Sequence, residues 1–434
     1  MRHGSGIHAD MLKSKVSSAT GPAPAPIDPP PAAPHRRAQS YRRYPTVLLN
    51  LAARLIPARR SQRSRRRRLQ EIKHQCRAIP EGETIFVSIA SYRDPQCPET
   101  VFDLFEKAAC PSRVFVGVCQ HNYDSDVDVL EGYRKLVARR GVGDFSDQVR
   151  VYRQRAEQAQ GSMPARHSIE EQLYRNERYY LMIDSHTLLT PRWDTECIRM
   201  WAQARKLSPK PILTMYPAGF QSFHRRWPER GYENRPPGYL HFSKFGEDTG
   251  LVNIMGADMA RIPERPIRSL FWSASYSFGS GSQIREAPFD PHCSYVFIGE
   301  EISMAARLWT HGYDLFHPTR MVVYQMWERP RPLFWEQLVG ASRLRAQRRE
   351  QEQAGYRRLQ TLLGLREGHV EAPYGLGTAR TLAEYEKFIG IDMGRRVVTS
   401  LAGLTGMPEN STPDEVLCKF GSLTRPFSEK FYPP

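Results

Sequence analysis

The chain of 434 residues has no segment close to the roughly 20 consecutive apolar residues that span a bilayer. Its N-terminus has no apolar signal-peptide core followed by a cleavage site. The seven cysteines are scattered, odd in number and without a Cys-x-x-Cys pair. This argues against a zinc module or a disulfide framework, and for free thiols in a reducing compartment, with the cytoplasm as the expected location. No Gly-x-Gly-x-x-Gly follows the first apolar run and no Walker loop occurs, so dinucleotide and P-loop chemistry lose their main support. There is no internal repeat.

What is present is a hydrophobic fraction of 40% and seven Trp, enough for a proper core. The net charge of +16 is unevenly placed: residues 1–80 carry 17 Lys and Arg against three acids, which leaves only +2 on the remainder. Basicity therefore belongs to a tail and not to the body. That tail contains the Pro/Ala-rich Gly21–Pro34, too poor in apolar residues to fold, and is expected to be a disordered arm. Within it, Thr46–Ile56 has the pattern of a short amphipathic helix followed by the basic run Ala58–Arg68, suited to weak contact with an anionic surface or to plain solvation.

Order is expected from about Glu83. Strand patterns at Thr84–Ala90, Arg113–Cys119, Val149–Arg153, Tyr179–Ile183, Ile212–Tyr216, Phe271–Phe278 and Val322–Gln325 alternate with helical ones at Glu99–Ala109, Val127–Arg139, His167–Asn176 and Ile302–Thr310. Phe220–Tyr239 reads as a long loop, Phe334–Leu363 as a charged helix, Thr381–Ile389 as a further helix, and the last thirty or so residues as irregular. The alternation predicts an α/β domain with a wound, mainly parallel sheet over 81–345, preceded by the arm 1–80 and followed by a helical extension, 346–434.

The most informative stretch is Tyr179–Asp194, in which an apolar strand stops abruptly at Asp184-Ser185-His186. Ligands bind at the C-terminal ends of strands in open α/β sheets. A carboxylate and an imidazole two residues apart suit a divalent cation; the plainer alternative is a turn capped by Asp184. Two more polar groups sit where apolar runs end: Ser91–Asp94, and Glu300-Glu301 at a helix start. Those acids could receive sugar or acceptor hydroxyls, or could simply stabilise the helix dipole.

Ile85–Thr100, Tyr179–Asp194, Pro291–Pro318, Arg331–Glu336 and Tyr374–Asp392, in this order, resemble the cytosolic hydroxyproline-directed N-acetylglucosaminyltransferase family and its bacterial relatives. The resemblance implies a GT-A type, Rossmann-like wound sheet, a UDP-N-acetylglucosamine donor, a hydroxyl acceptor on protein or a small molecule, and Mn²⁺ or Mg²⁺. It makes Asp184-Ser185-His186 a variant of the Asp-x-Asp motif that holds metal and diphosphate. Ala90, Ser91, Tyr92 and Arg93 would line the nucleotide pocket. Arg166, in a polar loop, would hold donor phosphate (an ordinary surface Arg being the alternative). Gly281, Glu300 and Glu301 would face sugar and acceptor, in a reaction that retains anomeric configuration.

One position departs from the family pattern. A third metal-binding His is expected after the last core strand, where this chain has Gln325, a weaker ligand through its carbonyl. His317 is the substitute candidate, with a packed or capping His as the alternative. Gln325 also motivates a second reading, a catalytically silent sugar-nucleotide or protein-binding module on the same fold. A nucleic-acid binder acting through the tail is the third.

Overall fold

The computed structural model describes residues 82–141, 143–220, 235–327, 334 and 342–421, all within the unit Arg60–Pro434. The basic arm, with the helix expected at Thr46–Ile56 and the Arg run, and Arg331–Glu336 apart from Phe334, lie outside the described residues. In chain order the elements are β1 (Ile85–Tyr92), α1 (Cys97–Lys107), β2 (Val114–Asn122), α2 (Val129–Arg140), β3 (Val149–Arg155), α3 (Ser162–Gln172), β4 (Tyr179–Asp184), β5 (Thr187–Leu189), α4 (Trp193–Arg205), β6 (Pro211–Thr214) and β7 (Ala218–Gly219). Then come β8 (Gly238–Phe245), β9 (Val252–Asp258), β10 (Ile267–Arg268), β11 (Tyr276–Ser280), α5 (Gln283–Glu286), α6 (Glu300–Thr310), β12 (Asp314–His317) and β13 (Val323–Gln325). The C-terminal part adds α7 (Ser342–Leu362), α8 (Leu382–Ile389), β14 (Ile391–Asp392), β15 (Val397–Val398), α9 (Leu401–Thr405) and α10 (Pro413–Phe420).

The main sheet runs β10-β12-β6-β11-β4-β1-β2-β3. β1 pairs parallel with β2 and β4, β2 with β3, and β6 with β12; β11 is antiparallel to both of its neighbours. The expected wound, parallel-dominated α/β sheet is thus present. Side-chain parity explains its two cores. Ile85, Val87 and Ile89 with Tyr179, Leu181 and Ile183 pack toward α1, α2 and α4. Phe86, Tyr180 and Met182 pack on the other face with Met163 and Ile169 of α3 and with α6. Strands covered on both faces read as continuous apolar runs, as these do.

Several boundaries differ from the sequence expectation. β1 continues through Ser91 and Tyr92, which pair with Gln120 and His121 on a longer β2. α3 starts at Ser162, five residues before the predicted His167, because Pro164 occupies the third helical position, where its missing N–H costs nothing. Of Phe271–Phe278 only the end is strand, and of Phe220–Tyr239, mostly outside the described residues, the last two residues are strand, since β8 starts at Gly238 and forms a hairpin with β9. β13 belongs not to the main sheet but to a small one, β5-β13-β7. The described part of the C-terminal segment, up to residue 421, is not irregular: it carries α9 and α10, the latter with a Thr412/Glu415 capping box.

Further observations concern isolated residues. Among the described residues Cys97, Cys119, Cys197, Cys293 and Cys418 are free. Asp194, at the end of the most informative stretch, is structural: it is fully buried, accepts from the amides of Ala109 and Cys110 at 2.7 and 2.9 Å, and pairs with Arg113 at 2.8 Å. Among the described residues no helix is long and apolar enough to cross a membrane.

Candidate active site at the C-terminal end of β4

Asp184 is the last residue of β4 and shares the parity of Tyr180 and Met182, so it leaves the sheet on the face covered by α3 and α6. Both helices start after a glycine in the left-handed region, Gly161 at φ 109° and Gly299 at φ 113°, a conformation that a Cβ would penalise. These starts aim Arg166 and Glu300 at Asp184. Arg166 is 3% exposed, so the surface alternative is excluded, and it lies inside α3, not in a loop. Its Nη2 is 3.4 Å from Asp184 Oδ1 and its Nε 3.1 Å from Glu300 Oε1. The Glu300 contact is an ion pair out of line for a hydrogen bond, and Arg166 Nε and Nη1 have no hydrogen-bond partner. Burial opposes the guanidinium charge, yet Glu300 and Asp184 outweigh that and raise its pKa.

The two glutamates sit in different surroundings. Glu300 is buried and accepts from Ser162 Oγ at 2.5 Å; burial raises its pKa despite Arg166. Glu301 accepts from Tyr216 Oη and from the amide of Ala274 at 3.1 Å, and burial pushes its pKa up to about 7. Glu301 can therefore hold or release a proton near neutrality, while Glu300 is tied to Arg166.

Past Asp184 the chain does not stay extended but turns, with β5 starting at Thr187. Ser185 Oγ donates to Asp94 Oδ2 at 2.6 Å, and His186 Nδ1 lies 2.9 Å from the same oxygen. β13, pairing with β5 through Gln325 and Thr187, brings Gln325 over this turn. Gln325 Nε2 donates to Asp184 Oδ2 at 2.7 Å and stands 3.4 Å from His186 Nε2; its Oε1 is buried without a partner. Ser275 Oγ donates to Asp184 Oδ2 at 3.2 Å.

Among the described residues no three His, Cys, Asp or Glu side chains are gathered as ligands. The gathered donors instead include an amide. Neighbouring ligands around a metal with bonds of about 2.1 Å lie about 3 Å apart, and the spacings of 2.7 and 3.4 Å about Gln325 bracket that. Turning the amide over would place the orphaned Oε1 beside Asp184 Oδ2 and His186 Nε2. The residues fit a divalent cation held by Asp184, His186 and Gln325.

Other expected site residues are placed differently. Ala90 pairs with Asp184, and Ser91 and Tyr92 follow it along β1. Arg93 turns away at φ 49°, binds Asp126 at 2.7 and 3.0 Å and lies over the Tyr123 ring. Gly281 is at the wrong end of the sheet: Ser280 pairs with Tyr179, five residues of β4 from Asp184, or about 16 Å. A Cβ there would strike Tyr174 and Glu177, so this glycine serves close packing and not the sugar. His317 is fully buried on β12, bonded through Nδ1 to Thr214 O at 3.2 Å and packed on Tyr239, so the packed-His alternative holds. No spacing in the sequence marks Ser162, Tyr216 and Ser275. Asp94 closes the Ser91–Asp94 group expected at a strand end, but nothing in the sequence ties it to His186.

The profile of the family described as "Glycosyltransferase (GlcNAc)" matches residues 84–134 and 132–395, more than half of the chain. The chain belongs to this family. The matched span coincides with the blocks that carried the resemblance. No curated protein matches in sequence. Among solved structures, "GalNAc-T7 with UDP, GalNAc and Mn2+" is similar at 15% identity and TM-score 0.41, over 70% of this chain and 54% of that one. The present chain thus spans about half the length of that relative. "S. aureus TarS 1-349 in complex with UDP-GlcNAc" is similar at 11% identity and TM-score 0.33, over 64% of this chain and 72% of that one.

Proposed function

We propose that this member of the GlcNAc glycosyltransferase family moves N-acetylglucosamine from a UDP-linked donor to a hydroxyl acceptor, with a divalent cation. The observation that carries the reading is the convergence of Asp184, His186 and Gln325 with the Arg166–Glu300 pair. A cation bound by the first three residues would neutralise diphosphate and act as Lewis acid and template. Arg166, with two unsatisfied N–H-bearing nitrogens, suits donor phosphate. Ala90, Ser91 and Tyr92 border the same strand end and are assigned to the nucleotide.

Glu301, the more exposed of the pair, is assigned to hold the acceptor hydroxyl, and Glu300 to fix Arg166 and offset positive charge at the anomeric carbon. Neither is assigned as a free inverting base, in keeping with retention. The acceptor hydroxyl belongs to hydroxyproline, another residue or a small molecule. Metal-dependent UDP release across a panel of UDP-sugars tests the reading. Asp184→Ala should abolish release without unfolding the chain, and metal-dependent turnover surviving in that variant overturns the assignment. The hydrogen bond from Gln325 to Asp184 favours a second reading, a binding module; calorimetry that finds UDP and Mn²⁺ bound while no acceptor supports turnover would select it.

A further inference from the structure

His186 can serve a cation only through the nitrogen that carries no proton, and the structure contains a group that decides which nitrogen this is. Asp94 is 6% exposed, in the turn that leaves β1, and its carboxylate faces donors on both oxygens. Oδ1 accepts from the Gln96 amide at 3.0 Å, and Oδ2 from Ser185 Oγ at 2.6 Å, short enough for a charge-assisted bond. An ionised carboxylate only accepts, so the 2.9 Å contact to His186 Nδ1 requires a proton on that nitrogen. Nε2 is then a bare lone pair, and it is this atom that stands toward Gln325 and Asp184.

We propose that Asp94 is a positioning residue which locks His186 in the Nδ1–H tautomer and thereby makes Nε2 a ligand for the divalent cation. The inference rests on the assignment of Asp184, His186 and Gln325 to that cation. Ser185 belongs to the same device: its hydroxyl is spent on orienting Asp94 and not on the donor sugar. Carboxylates behind a metal-bound imidazole typically change metal affinity 10- to 100-fold when removed.

The test uses the full chain with ¹⁵N-labelled histidine at about pH 8, where a free imidazole is neutral. His186→Ala assigns the signal. The expected wild-type spectrum shows His186 protonated at Nδ1; protonation at Nε2 in the wild-type protein overturns the proposal. In Asp94→Asn the amide can donate to Nδ1, so the ring should shift to Nε2–H. Mn²⁺ affinity, read by electron paramagnetic resonance, should fall about 10- to 100-fold with the thermal midpoint retained. A folded Asp94→Asn protein that keeps the Nδ1–H tautomer, or binds Mn²⁺ within about threefold of wild type, also overturns it. A wild-type protein that binds no Mn²⁺ while showing Nδ1–H instead defeats the cation assignment on which the proposal rests.

Discussion

Replacing Arg166 by Met keeps most of the side-chain volume and deletes the charge together with the N–H donors that face Asp184 and the Ala274 carbonyl. Its consequence follows from the two acids it leaves behind. Asp184 keeps 24% of its side chain exposed, so water and salt screen it and its share of the loss is small. Glu300 keeps 6% and retains only Ser162 as an immediate donor. Breaking a buried pair from one side typically costs 3–5 kcal/mol. With most of that on Glu300, we expect Arg166→Met to cost about 3 kcal/mol at pH 8.

The loss should depend on pH with a definite sign. Burial already raises the Glu300 pKa, and without Arg166 it rises further. A carboxyl with a raised folded pKa contributes stability at low pH that is lost as pH climbs through that pKa. The variant's deficit should therefore be smaller at pH 5 than at pH 8, because lowering the pH favours the neutral form of Glu300. Combining Arg166→Met with Glu300→Gln removes the stranded charge, so the double variant should recover about 2 kcal/mol relative to the sum of the singles. Urea unfolding of the four proteins at both pH values measures this. Additivity within about 0.5 kcal/mol, or a deficit larger at pH 5, would refute the coupling between Arg166 and Glu300.

Gln325→His should raise Mn²⁺ affinity by on the order of tenfold, since imidazole is the better ligand; an unchanged or weaker value in a Mn²⁺ titration removes position 325 from the ligand set. Glu170 is 9% exposed, and burial pushes its carboxyl up to about 8 against its bond from the Phe289 amide. Wild-type stability should accordingly fall as pH rises through about 8, by an order of a few kcal/mol in all. Glu170→Gln should flatten that slope, and parallel thermal-midpoint profiles for the two proteins between pH 6 and 9 would show the group is not the source.

The strand ends were legible because an apolar run that stops at a polar cluster says where water begins; this located Asp184, Ser91 and Glu300. Parity then carries Asp184 to the α3 face, but the place of Arg166 was hidden by Pro164, which reads as a breaker until it is seen to occupy a first turn. Phe271–Phe278 alternates like a strand, yet its first part turns because Ser269 and Ser273 hydroxyls accept from the Phe271 and Ser275 amides. The hairpin β8–β9 was masked by its glycine and proline neighbours. Asp94, 92 residues from His186, and Gln325, 139 residues from it, reach the imidazole only through the packing of β1 and β13 around the same turn. Local pattern carries no such information. Gly281 came from resemblance alone, and the sheet register sends it to the far edge.

The charges around Asp184 bear directly on the proposed cation. Arg166 supplies one positive charge against Asp184 and Glu300, Asp94 adds a further negative charge behind His186, and Glu301 lies near its own midpoint with a pKa of about 7. The side chains alone therefore leave the strand end negative by two charges or more. Two like charges about 5 Å apart repel by about 3 kcal/mol at an effective dielectric of 20, and a diphosphate brings at least two. Arg166 can donate hydrogen bonds to a phosphate but brings no net charge to offset this, since Glu300 and Asp184 already balance it. On the proposed reading a divalent cation is thus required for donor binding itself, before any bond to the sugar is broken. UDP affinity should collapse on chelation, and retained UDP binding in the presence of a chelator would show that some other positive group faces the phosphates.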